Sequence, residues 1–134
     1  MSKRKPQDLR SQRWFVPENA PGFAHRSRLK QVGYRREDFT GKPVIGIINT
    51  WSEINPCHYH LRERAEFVKR GGWQAGGFPV EIPAMPIAEI YLKPSPRSTT
   101  TRSPWNFCVA CRFDGAVLMR GCDKTTPGLP FICK

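Results

Sequence analysis

Apolar residues gather in three short stretches of the chain, and each stretch has the length of a β-strand. The first, residues 44–48, is rich in β-branched residues and leads into a polar loop at residues 49–52. Residues 78–82 and Gly115–Met119 form the other two runs, and Pro83 follows the former. A short apolar run without polar alternation is typical of a strand buried on both faces, as in a parallel sheet. The pattern therefore predicts three strands of a buried sheet.

Between the first two runs, apolar positions repeat at the spacing of an α-helix, namely Leu61, Ala65 and Val68. Asn55 can cap the start of this helix, and Pro56 suits its first position, where the missing N–H costs nothing. Gly76 and Gly77 are expected to end the helix. A strand, a helix and a strand in this order predict a βαβ unit of a parallel or mixed sheet in an α/β domain.

Residues 1–42 mix charged residues, prolines and scattered aromatic residues without a period. We expect them to form an extended N-terminal arm with one short helix near residues 26–32. Residues 43–134 are assigned to the α/β domain. Within that domain, residues 94–112 have no periodicity, and a Ser/Thr cluster accompanies three prolines that would break a helix, Pro94, Pro96 and Pro104.

The formal net charge of +11 raises the question of nucleic-acid binding. Residues 1–42 carry eleven Lys or Arg against four Asp or Glu, and residues 93–134 carry seven against two. The best-patterned part, residues 43–92, carries four against five and is nearly neutral. Because the positive charge lies in the two poorly patterned parts, the sequence does not indicate a dedicated nucleic-acid-binding protein.

The five cysteines give an odd number, which argues against a disulfide framework and for reduced thiols or metal ligands. The basic residues at the start of the chain are not followed by an apolar segment of the kind found in secretory signals. No stretch approaches the length of about 20 apolar residues that a membrane span needs. We therefore expect a soluble, cytoplasmic protein without membrane partners.

Two segments that follow predicted strands carry candidate chemistry, residues 49–60 and residues 121–127. Cys57 would lie in the first turn of the helix, where a thiolate is favoured. Cys122 stands next to Asp123 and Lys124 in a loop that begins with a glycine. Because α/β folds gather ligands at the carboxyl edge of the sheet, the two cysteines are expected to lie close together. A thiolate, a carboxylate and a lysine in one loop suit a mixed soft and hard metal site, and the alternative is a pair of buried, reduced cysteines in ordinary loops.

These segments resemble the dehydratase family that includes dihydroxy-acid dehydratase, 6-phosphogluconate dehydratase and the sugar-acid (aldonate) dehydratases. The resemblance covers roughly residues 9–93 and 113–130, and its core is the following set: Gly41-Lys42-Pro43-Val44-Ile45-Gly46-Ile47, Asn49-Thr50-Trp51-Ser52, Asn55-Pro56-Cys57-His58, Gly76-Gly77-Phe78-Pro79 and Gly121-Cys122-Asp123-Lys124-Thr125-Thr126-Pro127. The opening residues 9–15, with residues 25–27, are similar to the sugar-acid branch and to arabinonate dehydratases in particular. Several separate motifs in the right order make the resemblance specific.

The resemblance implies an iron–sulfur cluster and Mg²⁺ as cofactors. Cys57 and Cys122 match two of the three cysteine ligands of the cluster, which would be [2Fe-2S] rather than [4Fe-4S] in the sugar-acid branch. Asp123 matches a magnesium ligand, and Lys124 matches a lysine that binds the same ion as its carbamate. Glu89 aligns with a further acidic magnesium ligand. The family also implies a sugar-acid substrate and a homo-oligomer for the full-length enzyme.

The implied reaction explains why such ligands occur together. A sugar acid loses a weakly acidic Cα proton and a C3 hydroxyl, which is a poor leaving group, and yields a 2-keto-3-deoxy acid. Magnesium would stabilise the negative charge that develops beside the carboxylate. An iron with an open position would act as a Lewis acid on the C3 hydroxyl. Carbamylation turns a lysine cation, which would repel magnesium, into an oxygen ligand.

The sequence departs from the family in two ways. It ends at residue 134, a small fraction of the family's length. The resemblance implies that the third cysteine ligand and a serine that acts as the base lie beyond this point, so no catalytic residue is assigned. Residues 94–112 do not resemble the family. We therefore expect an incomplete N-terminal domain that is inactive alone, and a non-functional remnant of a dehydratase gene is an alternative.

A second alternative is a small, basic, zinc-binding nucleic-acid-binding module. Cys108 and Cys111 form a C-x-x-C pair that could be half of a zinc site, completed by Cys122 or Cys133. His58 and His60 follow Cys57 closely and could be ligands or substrate contacts, but a histidine near a helix start is more often a capping or surface residue. The family tends to keep His58, which favours it over His60.

Overall fold

The computed structural model describes residues 8–84 and 112–121. Its elements in chain order are α1 (Gln12–Phe15), α2 (Ala20–Gln31), α3 (Arg36–Phe39), β1 (Val44–Asn49), α4 (Pro56–Tyr59), α5 (Leu61–Gln74), β2 (Phe78–Pro83) and β3 (Gly115–Met119). All three predicted strands are present, and their bounds agree with the apolar runs within one residue. The predicted α/β class is confirmed.

The strands form one parallel sheet in the order β2-β1-β3. Val44 pairs with Phe78 on one side of β1, and Asn49 pairs with Met119 on the other. The central strand is buried along nearly its whole length, as its uninterrupted apolar run predicts. Because all strands run in one direction, the loops that follow β1, β2 and β3 leave the sheet at the same edge.

Helix α5 connects β1 to β2 and packs on one face of the sheet. Leu61 and Ala65 form a buried cluster with Ile47 of β1 and Met119 of β3, and Val68 packs against it. Burying a side chain the size of leucine contributes about 1.5–3 kcal/mol, so this contact fixes the helix on the sheet. The predicted βαβ unit and its apolar helix face are confirmed.

The helix differs from the prediction at its start. Asn55 caps a separate short turn, α4, in which the N–H of His58 donates to the carbonyl oxygen of Asn55 at 2.9 Å. Such a tight i→i+3 hydrogen bond closes a narrower turn than an α-helix, and α5 begins only at Leu61. At the other end, Gly76 has a φ of 79° and ends α5 as predicted.

Residues 8–42 are not an extended arm, because they form α1, α2 and α3. Phe15 of α1 and Phe39 of α3 pack against Val44 and Phe78 on the sheet face opposite to α5. Asn19 caps α2 by accepting a hydrogen bond from the N–H of Gly22 at 2.9 Å. The predicted short helix near residues 26–32 is the second half of α2.

Polar side chains also attach this N-terminal part to the sheet. The side chain of Asp114 accepts hydrogen bonds from the hydroxyl and the N–H of Ser11 and from the N–H of Val44. The amide of Gln12 is buried and bonds to the main chain of Phe39, Gly41 and Lys42. These contacts fix the N-terminal helices on β1 and on the start of β3.

Within residues 8–84 and 112–121, no helix is long and apolar enough to cross a membrane. The aberrant stretch at residues 94–111 lies outside the described residues. Cys108, Cys111 and Cys133 also lie outside the described residues, so the zinc-site alternative stays a prediction.

Candidate iron–sulfur site at the carboxyl edge of the sheet

The loops after β1 and β3 are joined where the two strands end. Thr50, the first residue after β1, donates from its N–H and from its hydroxyl to the carbonyl oxygen of Met119, at 3.2 and 2.8 Å. Thr50 is buried. The N–H of Ala84, after β2, donates to the carbonyl oxygen of Asn49 at 2.8 Å. All three strand ends therefore meet at one edge, as expected for the segments that carry the candidate chemistry.

Cys57 lies in α4, in the loop that follows β1. The buried side chain of Asn55 accepts a hydrogen bond from the N–H of Cys57 at 3.2 Å, so this cap holds the backbone of the cysteine. The thiol is free and exposed. The predicted first-turn position is confirmed, and the exposed thiol is free to bind a metal.

Gly121 lies directly against the backbone of Cys57. A Cβ atom at position 121 would stand 1.9 Å from the carbonyl oxygen of Cys57 and 2.9 Å from Cδ2 of His58. Only a glycine fits at such a distance. Cys122 is the next residue along the chain, and consecutive Cα atoms are about 3.8 Å apart. The last described residue before Cys122 is thus in contact with the turn that carries Cys57.

Cys122, Asp123, Lys124 and Glu89 lie outside the described residues. The expected closeness of the two thiols therefore stays a prediction, as do the magnesium ligands. Among residues 8–84 and 112–121, no group of three or more His, Cys, Asp or Glu side chains could hold a metal ion. Any complete metal site thus needs residues beyond this part.

The imidazole of His58 is fully buried between the same two loops. Its Nδ1 lies 2.7 Å from the carbonyl oxygen of Thr50. Because a carbonyl oxygen only accepts, Nδ1 is the donor. The other ring nitrogen, Nε2, has no hydrogen-bond partner in the described part of the chain, and the adjoining Cδ2 faces Gly121. Buried polar atoms without a partner are rare and call for an explanation.

These observations fit an iron–sulfur cluster as far as the described residues reach. Cysteine thiolates are the usual cluster ligands. Cys57 offers an exposed thiol, and Gly121, which precedes Cys122, lies against the backbone of Cys57. His60 is exposed, like Cys57.

A buried polar network supports the loop after β1. The side-chain amide of Asn49 donates to Glu81 of β2 at 2.8 Å and to the carbonyl oxygen of Leu61 at 3.3 Å. Its oxygen accepts from the N–H of Trp51 at 3.0 Å. Asn49 therefore fixes the direction in which the chain leaves β1.

Lys69 of α5 completes this network through an ion pair with Glu81 at 2.6 Å, and it also contacts Glu66 at 2.8 Å. The hydrogen bonds to Glu66 and then to Glu81 raise the pKa of Lys69. Burial raises the pKa of Glu81, but the hydrogen bonds from Lys69 and Asn49 outweigh it and the pKa is lowered. Both side chains are therefore charged around neutral pH.

The chain is similar to known proteins over most of its length. Residues 42–131 match the sequence profile described as Dihydroxy-acid/6-phosphogluconate dehydratase N-terminal. That match spans the whole sheet and both cysteine segments. The chain belongs to the dihydroxy-acid/6-phosphogluconate dehydratase family.

Curated relatives include several dehydratases. The chain is 55% identical over 129 residues to a 6-deoxy-6-sulfo-D-gluconate dehydratase of Pseudomonas putida. The aligned region covers 94% of this chain and 22% of that protein. It is 47% identical over 132 residues to an L-arabonate dehydratase of Azospirillum brasilense, and the aligned region covers 96% of this chain and 22% of that protein. A dihydroxy-acid dehydratase of Pyrobaculum aerophilum is 36% identical to the chain over 130 residues, which cover 90% of this chain and 22% of that protein. The chain spans about a fifth of the length of these relatives.

Proposed function

We propose that this chain is the N-terminal part of an iron–sulfur hydro-lyase that dehydrates sugar acids to 2-keto-3-deoxy acids. Cys57 and Cys122 are two ligands of its cluster. The observation that carries the proposal is the contact of Gly121 with the carbonyl of Cys57, because it brings the two cysteine segments together. The sugar-acid class is supported by the names of two relatives, a sulfogluconate dehydratase and an arabonate dehydratase.

The second part of the proposal is a magnesium ion held by Asp123, by the carbamate of Lys124 and by Glu89. Asp123 and Lys124 follow Gly121 within three residues. The segment that leads to Glu89 leaves the sheet at the same edge, because the N–H of Ala84 donates to the carbonyl oxygen of Asn49. Carboxylate and carbamate oxygens are ligands that suit Mg²⁺.

When bound, the cluster and the magnesium ion would supply Lewis acids for the hydroxyl that leaves and for the carboxylate end of the sugar acid. The described residues hold the frame for these groups. Thr50 joins the ends of β1 and β3, Asn55 fixes the backbone of Cys57, and Asn49 orients the loop between them. Such supporting contacts determine how rigidly metal ligands are presented.

The 134-residue chain is proposed to have no dehydratase activity by itself. It corresponds to about 22% of the length of its relatives, and neither a third cluster ligand nor a base is assigned within it. Incubating the purified chain with aldonates after cluster reconstitution should yield no 2-keto-3-deoxy acid. Formation of that product would contradict this part of the proposal and leave the cluster assignment in place.

The cluster assignment is tested by anaerobic reconstitution with iron and sulfide. The chain should gain visible absorption and bind iron and sulfide in equal amounts. Cys57→Ser and Cys122→Ser should each abolish most of this binding, because each removes a thiolate ligand. Cys108→Ser is the matched control and should leave it unchanged. If instead the purified chain is colourless, contains zinc and loses it in Cys108→Ser, the proposal is overturned in favour of a zinc-binding module.

A further inference from the structure

The imidazole of His58 connects the two loops that carry the proposed cluster ligands. On one side, Nδ1 donates to the carbonyl oxygen of Thr50, in the loop after β1. On the other side, the ring edge at Cδ2 packs against Gly121, in the loop after β3. His58 is also the residue next to Cys57, so the position of its ring determines how the short turn α4 sits between the loops.

Packing alone does not account for a histidine at this position. The ring is fully buried, yet Nε2 has no partner in the part of the chain that the structure describes. A polar atom buried without a hydrogen bond costs stability that an apolar side chain of similar size would not lose. Nε2 adjoins the ring edge that faces Gly121.

We propose that His58 is a positioning residue of the cluster site, and this inference rests on the proposed function. Its ring holds the loop after β1 through Nδ1 and supports the loop after β3 through the Cδ2–Nε2 edge. In this way it sets the separation between the thiols of Cys57 and Cys122. The role proposed for His58 is to hold the two loops, and the cluster ligands of the proposal remain the cysteines.

The separation of the two thiols can be measured without any cluster. In a chain that carries Cys108→Ser, Cys111→Ser and Cys133→Ser, a short bifunctional thiol reagent should cross-link Cys57 to Cys122. His58→Ala should lower the rate of cross-linking about fivefold to tenfold, as expected for the loss of one buried hydrogen bond that holds a loop. His58→Asn retains a donor near the position of Nδ1, so its cross-linking rate should lie between that of the unsubstituted chain and that of His58→Ala. The exposed His60→Ala is the matched control and should not change the rate.

Far-UV circular dichroism and the melting temperature of each variant separate positioning from loss of the fold. If His58→Ala does not fold, His58→Asn decides the question. A folded His58→Asn that cross-links at the unsubstituted rate would overturn the inference and leave the proposed function untouched. No cross-link in the unsubstituted chain would overturn both.

A second readout is the spectrum of the reconstituted cluster. His58→Asn should take up iron but change the visible circular dichroism, because the ligand geometry changes, whereas His60→Ala should reproduce the unsubstituted spectrum. Cross-linking that responds to His58 in a chain that binds no iron would contradict the proposed function and support the positioning role.

Discussion

A side chain at position 121 would collide with the turn that carries Cys57. We expect Gly121→Ala to lower the free energy of unfolding by about 1–3 kcal/mol, the usual cost of adding a group to a filled space. The reason is the separation of 1.9 Å between the new Cβ and the carbonyl oxygen of Cys57, which neither backbone can relieve without moving. Urea unfolding of the chain measures this change.

Gly71 provides the matched control, because a Cβ there meets no atom within 4 Å. It lies on the exposed side of α5, where glycine weakens a helix relative to alanine. Gly71→Ala should therefore raise the stability by about 0.5–1 kcal/mol. Equal effects of the two substitutions would show that the contact at Gly121 is not formed.

The residues that surround the candidate site were only partly predictable. The cysteines could be selected because their residue type is rare and they follow apolar runs. Asn49 and Thr50 are buried for another reason, since each bonds to a residue of a distant strand, and His58 bonds within its own loop to the carbonyl oxygen of Thr50. Nothing in the local sequence gives such partners. The one available signal was the run of polar residues directly after a buried strand.

At the scale of elements, the ion pair between Lys69 and Glu81 fastens α5 to β2. The pKa of Glu81 is lowered in the folded chain. The stability that the charged Glu81 contributes is therefore complete above the unfolded pKa of 4.5 and is lost as the pH falls through the folded pKa. The pKa of Lys69 is raised. The stability that the charged Lys69 contributes is therefore complete below the unfolded pKa of 10.5 and is lost as the pH rises through the folded pKa. Between these limits the contribution should be constant.

Glu81→Gln tests this pH dependence. It should lower the stability by a constant amount between pH 4.5 and 10.5, and the difference from the unsubstituted chain should shrink in acid and in strong alkali. Glu66→Gln, which changes a more exposed partner of Lys69, is the control and should have a smaller effect. Denaturant midpoints measured across the pH range give both curves. A difference that grows in acid would contradict the assignment.

The elements differ in how well the sequence predicts them. β1 and α5 bury continuous or periodic apolar residues, and the local sequence pattern predicts this burial. The apolar runs of β2 and β3 also predict strands, but within the described part of the chain Val117 is exposed and Met119 is the one buried residue of β3. Helix α2 has no such pattern, because Phe23 is exposed and Gly22 is the one buried residue of the helix. Its cap at Asn19 with a proline in the first turn was the signal that could have located it.

For the whole molecule, the charge of +11 leads to a prediction about nucleic acids. We expect binding to single-stranded and duplex DNA at low salt that becomes weaker than about micromolar at physiological salt, the behaviour of non-specific counterion release. The charge lies mainly outside the near-neutral residues 43–92. A titration at several salt concentrations measures the affinity. Submicromolar binding at physiological salt would favour the zinc-binding module, and Cys108→Ser would then be the first variant to examine.

The bonds between Ser11 and Asp114 join residues that are 103 positions apart. At a synthesis rate of about 5–20 residues per second, the ribosome makes the second partner roughly 5–20 s after the first. During that time α1 can meet β1, but the strand end that fastens it does not yet exist. Until then α1 is held by its other contacts, such as the packing of Phe15 against Phe39 and Val44. The N-terminal helices are therefore fastened to Asp114 by hydrogen bonds only as β3 joins the sheet.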